Sequence, residues 1–193
     1  MKFKNLVLAS LLIGGITFQS CKNAEKKEVI EEPEIEVETV EEEPMMDNIT
    51  TIAMENDNFS TLVTALKSAD LVEVLNGDGP YTVFAPTNDA FAKVPENTLN
   101  SLLMEENKSK LQELLKYHVV SGKVMAEDVV KMINDNNGTY EITTLQGGKL
   151  IASLKDGNVV LKDEKGNMST VVMADVDASN GVIHAIDAVV MQK

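Results

Sequence analysis

Tyr81-Thr82-Val83-Phe84-Ala85-Pro86-Thr87-Asn88-Asp89-Ala90-Phe91 is the stretch around which this chain is organised. Its first half is aromatic, β-branched and almost wholly apolar, the pattern of a strand buried on both faces. Pro86 has no N–H to give to a ladder, so the strand is expected to end there. Thr87, Asn88 and Asp89 carry side-chain oxygens suited to capping a helix that opens at Ala90-Phe91.

Upstream, Phe59, Leu62, Val63 and Leu66 form one stripe of a helix. Asp70 with Glu73 reads as a cap opening a second, short helix. Downstream, Leu99, Leu102 and Leu103 mark a helix, Leu111, Leu114 and Leu115 another, and Val129, Val130 and Ile133 one more. From Thr139 the apolar period changes to two. Strands are expected at 140–144, 149–154, 158–162, 170–177 and 182–191. Turn signals at Gly147-Gly148, Asp156-Gly157, Gly166-Asn167 and Asn180-Gly181 separate them. Helices first and antiparallel strands after is an α+β pattern. The early strand at Tyr81 has to join the late ones, so both halves share one core.

The N-terminal quarter is of another kind. Lys2 and Lys4 precede an apolar run from Leu6 to Ile16 that is too short to span a membrane, so residues 1–20 read as a secretory signal. It ends at Ser20-Cys21, a small residue before cysteine, which resembles a bacterial lipobox. Phe18 and Gln19 depart from that pattern's commonest residues. Cleavage between Ser20 and Cys21 with acylation of Cys21 is the expectation. Residues 22–47 hold eleven acids against three lysines. Glutamates alternate with Val and Ile there, but like charges would crowd one strand face and Pro33 and Pro44 interrupt it. A disordered acidic tether is expected, roughly 30 Å end to end as a flexible coil. The globular domain is placed at 48–193.

Charge and cysteine count narrow the function. The formal charge of the chain is -14, with no basic patch for phosphates, so nucleic acid is not an expected partner. One cysteine permits no internal disulfide, and His118 and His184 lack metal-ligand spacing. No metal or other cofactor is expected. Asp175-x-Asp177-x-Ser179-Asn180-Gly181 has an acidic loop's opening, but Asn180 and Ile186 stand where a calcium loop needs Gly and Glu. A strand and hairpin is the reading. His184 lies among apolar neighbours as a hydrogen-bonded core residue, with Asp187 facing the other way.

YTVFAPTNDAF resembles the first signature of the fasciclin domain, an extracellular adhesion module. Asn180-Gly-Val-Ile-His-Ala-Ile-Asp-Ala-Val189 resembles the second, and Tyr117-His118 lies between them in the family's order. The resemblance covers 48–193 and implies short helices packed on an antiparallel β-sandwich or wedge. It also implies a non-enzymatic role in contacting matrix, glycan or cell-surface proteins. In animal fasciclin proteins the matching Tyr-His pair is assigned to receptor recognition, which makes Tyr117 and His118 candidate partner-binding residues. Their flanks, Leu114, Leu115, Val119 and Val120, argue for burial, and the favoured reading is a polar lock inside the fold. Together these readings describe a monomer in the bacterial cell envelope, touching the outer membrane through its lipid alone. The alternative is an envelope binding protein for a small apolar ligand, held in a gap between helices and sheet.

Overall fold

The order of elements along the chain begins with three helices: α1 (Ile49–Glu55), α2 (Ser60–Ser68) and α3 (Val72–Leu75). Strand β1 (Tyr81–Pro86) follows, then α4 (Asn88–Ala92), α5 (Glu96–Leu103), α6 (Lys108–Tyr117), β2 (Val119–Ser121) and α7 (Ala126–Asp135). The chain closes with β3 (Thr139–Thr143), β4 (Lys149–Lys155), β5 (Asn158–Lys162), β6 (Met168–Ala178) and β7 (Gly181–Ile186). The computed structural model describes residues 46–193. The signal at 1–20, Cys21 and the acidic stretch up to residue 45 lie outside the described residues.

The seven strands form one sheet in the order β2-β1-β7-β6-β5-β4-β3. All neighbours are antiparallel except β1 and β7, which run parallel from Tyr81↔Gly181 to Pro86↔Ile186. The sheet, expected to be antiparallel, therefore has one parallel seam, one strand in from its β2 edge, and that seam joins the two signature stretches. Gly181 makes it possible. A Cβ there would fall on the Tyr81 carbonyl, so only glycine lets the strands start this close.

Side chains of the paired strands alternate between two cores. Val83, Ala85, Ile183 and Ala185 face a layer built by the first six helices, with Phe59, Leu62, Leu66 and Leu115. Phe84 and Ile186 face a second core with Leu150, Leu161 and, from α7, Val129 and Ile133. This is the two-faced burial read from the composition of the Tyr81 stretch. Fully burying each such Leu, Ile or Phe contributes about 1.5–3 kcal/mol.

Local chemistry explains where the elements stop. Asp70 does not open α3. It takes φ +52 just past α2, with Leu71 N bonded to Leu66 O and Asp70 N to Lys67 O. That is a left-handed helix stop, a place that favours Gly, Asn or Asp. Its carboxylate pairs with Lys108 of α6. Strand β7 ends at Ile186, five residues short of the expected end: Asp187 N still bonds Thr170 O, but the N–H groups of Ala188, Val190 and Met191 are taken by the side chains of Ser169, His118 and Asp163.

Candidate functional site

Tyr117 closes α6 and is 0 % exposed; His118, the next residue, is 2 % exposed. The Tyr117 hydroxyl donates to Lys149 O at 2.7 Å, and burial pushes it up to about 12. Gly148 packs beside it. A Cβ there would lie 2.6 Å from the ring's Cε2, so the Gly147-Gly148 turn is shaped to the tyrosine. Val190 N–H donates to His118 Nε2 at 3.3 Å, so the ring proton sits on Nδ1, which donates to Leu114 O at 2.8 Å. Burial pushes the imidazole down to about 4, and it is neutral at physiological pH. Both side chains point inward, and both have their polar atoms occupied by the fold.

Next to this pair lies a clasp that sequence reading missed. Asp163, buried at the β5–β6 hairpin, accepts Asn167 N at 2.7 Å and Met191 N at 2.9 Å. Glu164 N–H reaches the Tyr117 hydroxyl at 3.4 Å. His118 and the hairpin thus hold the segment that follows β7, and Tyr117 holds the hairpin. Gly166-Asn167 marked a turn in the sequence, but not what the hairpin would grip.

His184 is the second buried imidazole, with the opposite tautomer. Asp175 N–H donates to its Nδ1 at 3.2 Å, and its Nε2–H donates to Val124 O at 2.9 Å. Its ring is tilted against Phe84, with centroids 5.7 Å apart. Asp175 lies in a bulge of β6 with φ +58 and accepts Ala126 N at 2.7 Å, at the start of α7. Two residues on, Asp177 pairs with Lys123, and that hydrogen bond holds its carboxyl below the ordinary value. Asp175 and Asp177 therefore pin the 122–126 loop. Among the described residues, no group of three or more His, Cys, Asp or Glu is placed to hold a metal.

The oxygens after Pro86 divide their work. Thr87 caps α4, accepting Ala90 N at 3.3 Å. Asn88 caps a different helix: its Oδ1 accepts Thr61 N at 3.0 Å and its Nδ2 donates to Asp57 O at 2.8 Å, fixing the start of α2. Asp89 sits in the first turn of α4, where a negative charge suits the helix dipole. Asp187 accepts Thr170 N at 2.6 Å and pairs with Lys93.

In the apolar core between helices and sheet two cavities remain, of about 20 and 10 Å³, each touching His118. A roomier opening of about 250 Å³ lies between β2 and β3, floored by Phe84 and Val129. A wider, partly polar cleft of about 550 Å³ lies between α4 and strands β6 and β7, lined by Asn88, Asp89, Lys93, Met173 and Asp187.

Against known proteins, the Fasciclin domain profile matches residues 57–192. Protein sll1483 of Synechocystis sp. is 52 % identical over 143 residues, covering 74 % of this chain and 72 % of that protein. Immunogenic protein MPB70 of Mycobacterium bovis is 36 % identical over 150 residues, covering 75 % and 69 %. Transforming growth factor-beta-induced protein ig-h3 of Sus scrofa is 38 % identical over 146 residues, but this chain spans only 19 % of its length. In fold, the chain is similar to a FAS1 domain pair from the insect cell adhesion molecule Fasciclin I. The TM-score is 0.68 at 18 % identity, over 77 % of this chain and 52 % of the other.

Proposed function

Because this chain belongs to the fasciclin-domain family, we propose that it is a non-enzymatic surface-interaction module of the bacterial cell envelope. In this reading residues 1–20 are a signal, Cys21 carries lipid at the outer membrane, and 22–47 is an acidic tether for the 48–193 domain. The module acts as a monomer on matrix, glycan or cell-surface protein. The observation that carries the reading is the family match over 57–192. Relatives described as a cell surface glycolipoprotein and as an adhesion molecule support it.

The geometry agrees in one respect. His118, His184, Asp163, Asp175 and Asp187 bond to backbone groups of the fold instead of converging on one opening. Tyr117 and His118 then serve recognition by shaping the fold, not by touching a partner. The alternative, a small apolar ligand between helices and sheet, is disfavoured because the apolar cavities there are little larger than one water needs, and the wider cleft beside α4 is lined by Thr87, Asn88, Asp89, Lys93 and Asp187.

Binding of the full chain to glycan and matrix-protein arrays tests the proposal. Saturable binding that survives moderate salt is expected, since a chain of charge -14 has no bulk positive field to lose. No saturable binding, or binding erased by modest salt, overturns it.

A further inference from the structure

The sheet has two free edges, β2 and β3, and they face each other. Leu145 N–H donates to Val119 O at 2.6 Å and ties them at one end. Beyond that bond the edges separate without pairing, and the 250 Å³ cavity fills the space. Its wall takes in four consecutive residues of β3, Tyr140 to Thr143, and the adjacent Val120 and Ser121 of β2. Successive side chains of a strand point to opposite faces. Consecutive lining residues therefore mean that the cavity is bordered by backbone edges.

The register shows what those edges offer. Phe84 N bonds His118 O and Gly122 N bonds Pro80 O, so residues 118, 120 and 122 bond toward β1. Val119 and Ser121 thus direct their N–H and C=O into the seam. Thr144 N bonds Gly148 O, so residues 140, 142 and 144 bond toward β4, and Glu141 and Thr143 face the seam. Among the described residues, the N–H groups of Ser121, Glu141 and Thr143 have no hydrogen-bond partner. Following the pairings around the sheet, β2 and β3 run antiparallel to each other.

We propose that the seam between β2 and β3 is a docking site for an extended peptide segment of a partner protein. This rests on the surface-interaction reading above and names the chemistry of the partner. An extended backbone is the ligand that carries donors and acceptors on both of its sides at strand spacing. It would run parallel to one edge and antiparallel to the other. The volume exceeds the roughly 150 Å³ that encloses a benzene, room for about two or three small residues. Inward side chains meet Phe84, Val129 and Ile142, so small or β-branched apolar residues fit there. Outward positions border Glu141, whose carboxylate is paired with Lys149 at 2.8 Å, so an uncharged polar residue such as Thr fits there.

The test is selection from a display library of linear peptides of about nine residues, followed by titration of the best binder into the isotope-labelled full chain. The expected result is that the Ser121, Glu141 and Thr143 amides shift downfield and exchange at least about tenfold more slowly. N-methylating alternate residues of the peptide is expected to weaken binding about tenfold or more, because it removes donors without altering the protein. Thr143→Pro, which deletes a seam-facing N–H and no internal bond, is expected to do the same at unchanged melting temperature. The proposal is overturned if no peptide is enriched, if shifts map outside the seam, or if N-methylated peptide binds equally well. It is equally overturned if 1-anilinonaphthalene-8-sulfonate occupies the seam while peptides do not, or if the shifts follow protein concentration alone, as for a second copy. A Thr143→Pro chain that keeps full binding to arrays removes the seam and leaves the surface-interaction reading standing.

Discussion

His118 Nε2 accepts the Val190 N–H at 3.3 Å, joining the end of α6 to the segment after β7 across 72 residues of chain. Removing the imidazole leaves both Val190 N–H and Leu114 O without this partner in a buried site. Each stranded group costs about 1–3 kcal/mol. His118→Ala is therefore expected to melt roughly 3–15 °C lower by circular dichroism. Chain that remains folded is expected to bind as wild type. Unchanged melting with lost binding would make the pair a contact site instead.

The same ring sets an acid limit on stability. Its folded value, about 4, lies below the ordinary 6.5, so the unfolded chain binds the proton more readily. The contribution is complete above about pH 6.5, declines as pH falls, and is lost by about pH 4. The loss is on the order of 3 kcal/mol, from about 1.4 kcal/mol per unit. Denaturant midpoints measured at half-unit steps are expected to fall across this window. In His118→Gln the slope there is expected to flatten; an unaltered slope assigns the acid loss to other groups.

Asn180 bridges three elements from a two-residue turn. Its Oδ1 accepts Ile49 N at 3.0 Å, and its Nδ2 donates to Leu75 O at 2.7 Å and Gly77 O at 3.1 Å. Asn180→Asp keeps the acceptor and loses both donations, setting a carboxylate against two carbonyls. A loss of about 1–3 kcal/mol in urea titration is expected, with Asp no better than Ala. An Asp variant as stable as wild type would show that the two carbonyls find other donors.

How much of this was legible follows from where each signal resides. The run Tyr81–Pro86 announced burial on both faces through its own composition, and the structure places its alternate residues in two cores. The two-residue period after Thr139 located all five late strands. Partners were not legible. Asn88 offered a capping oxygen, but its helix begins 28 residues earlier in sequence, at Ser60. Asp70 has the chemistry for either end of a helix, and only the Leu71–Leu66 bond decides which. The parallel pairing of β1 with β7 is a matter of register across a hundred residues, which no local pattern encodes. Gly166-Asn167 announced the turn, but the grip of Asp163 on Met191 depends on where the chain returns.

Gly148 gives a steric prediction. Its backbone lies against the Tyr117 ring, and a methyl there would stand 2.6 and 2.9 Å from two ring carbons. The ring is buried and held by the Lys149 carbonyl, so it has little freedom to retreat. Gly148→Ala is expected to cost about 1–3 kcal/mol, as other overpacked sites do. Gly147→Ala, one residue earlier, meets open space and carries only the strain of φ +98. A melting comparison in which Gly147→Ala is the more damaged of the two would show that backbone strain, not the tyrosine, governs this turn.

The last prediction concerns attachment. Ser20-Cys21 follows an apolar run, and Cys21 is the chain's one thiol. Each buried methylene of an acyl chain contributes about 0.8 kcal/mol, and a single myristoyl group binds membranes only marginally. Two or three chains on one cysteine would hold the protein stably. Wild type is expected in the membrane pellet after carbonate washing, with a mature N-terminus at Cys21 heavier by its acyl groups. Cys21→Ala is expected in the soluble fraction or as unprocessed precursor. Mass spectrometry that finds an unmodified mature N-terminus would reject the anchor, and the acidic stretch would then tether the domain to nothing.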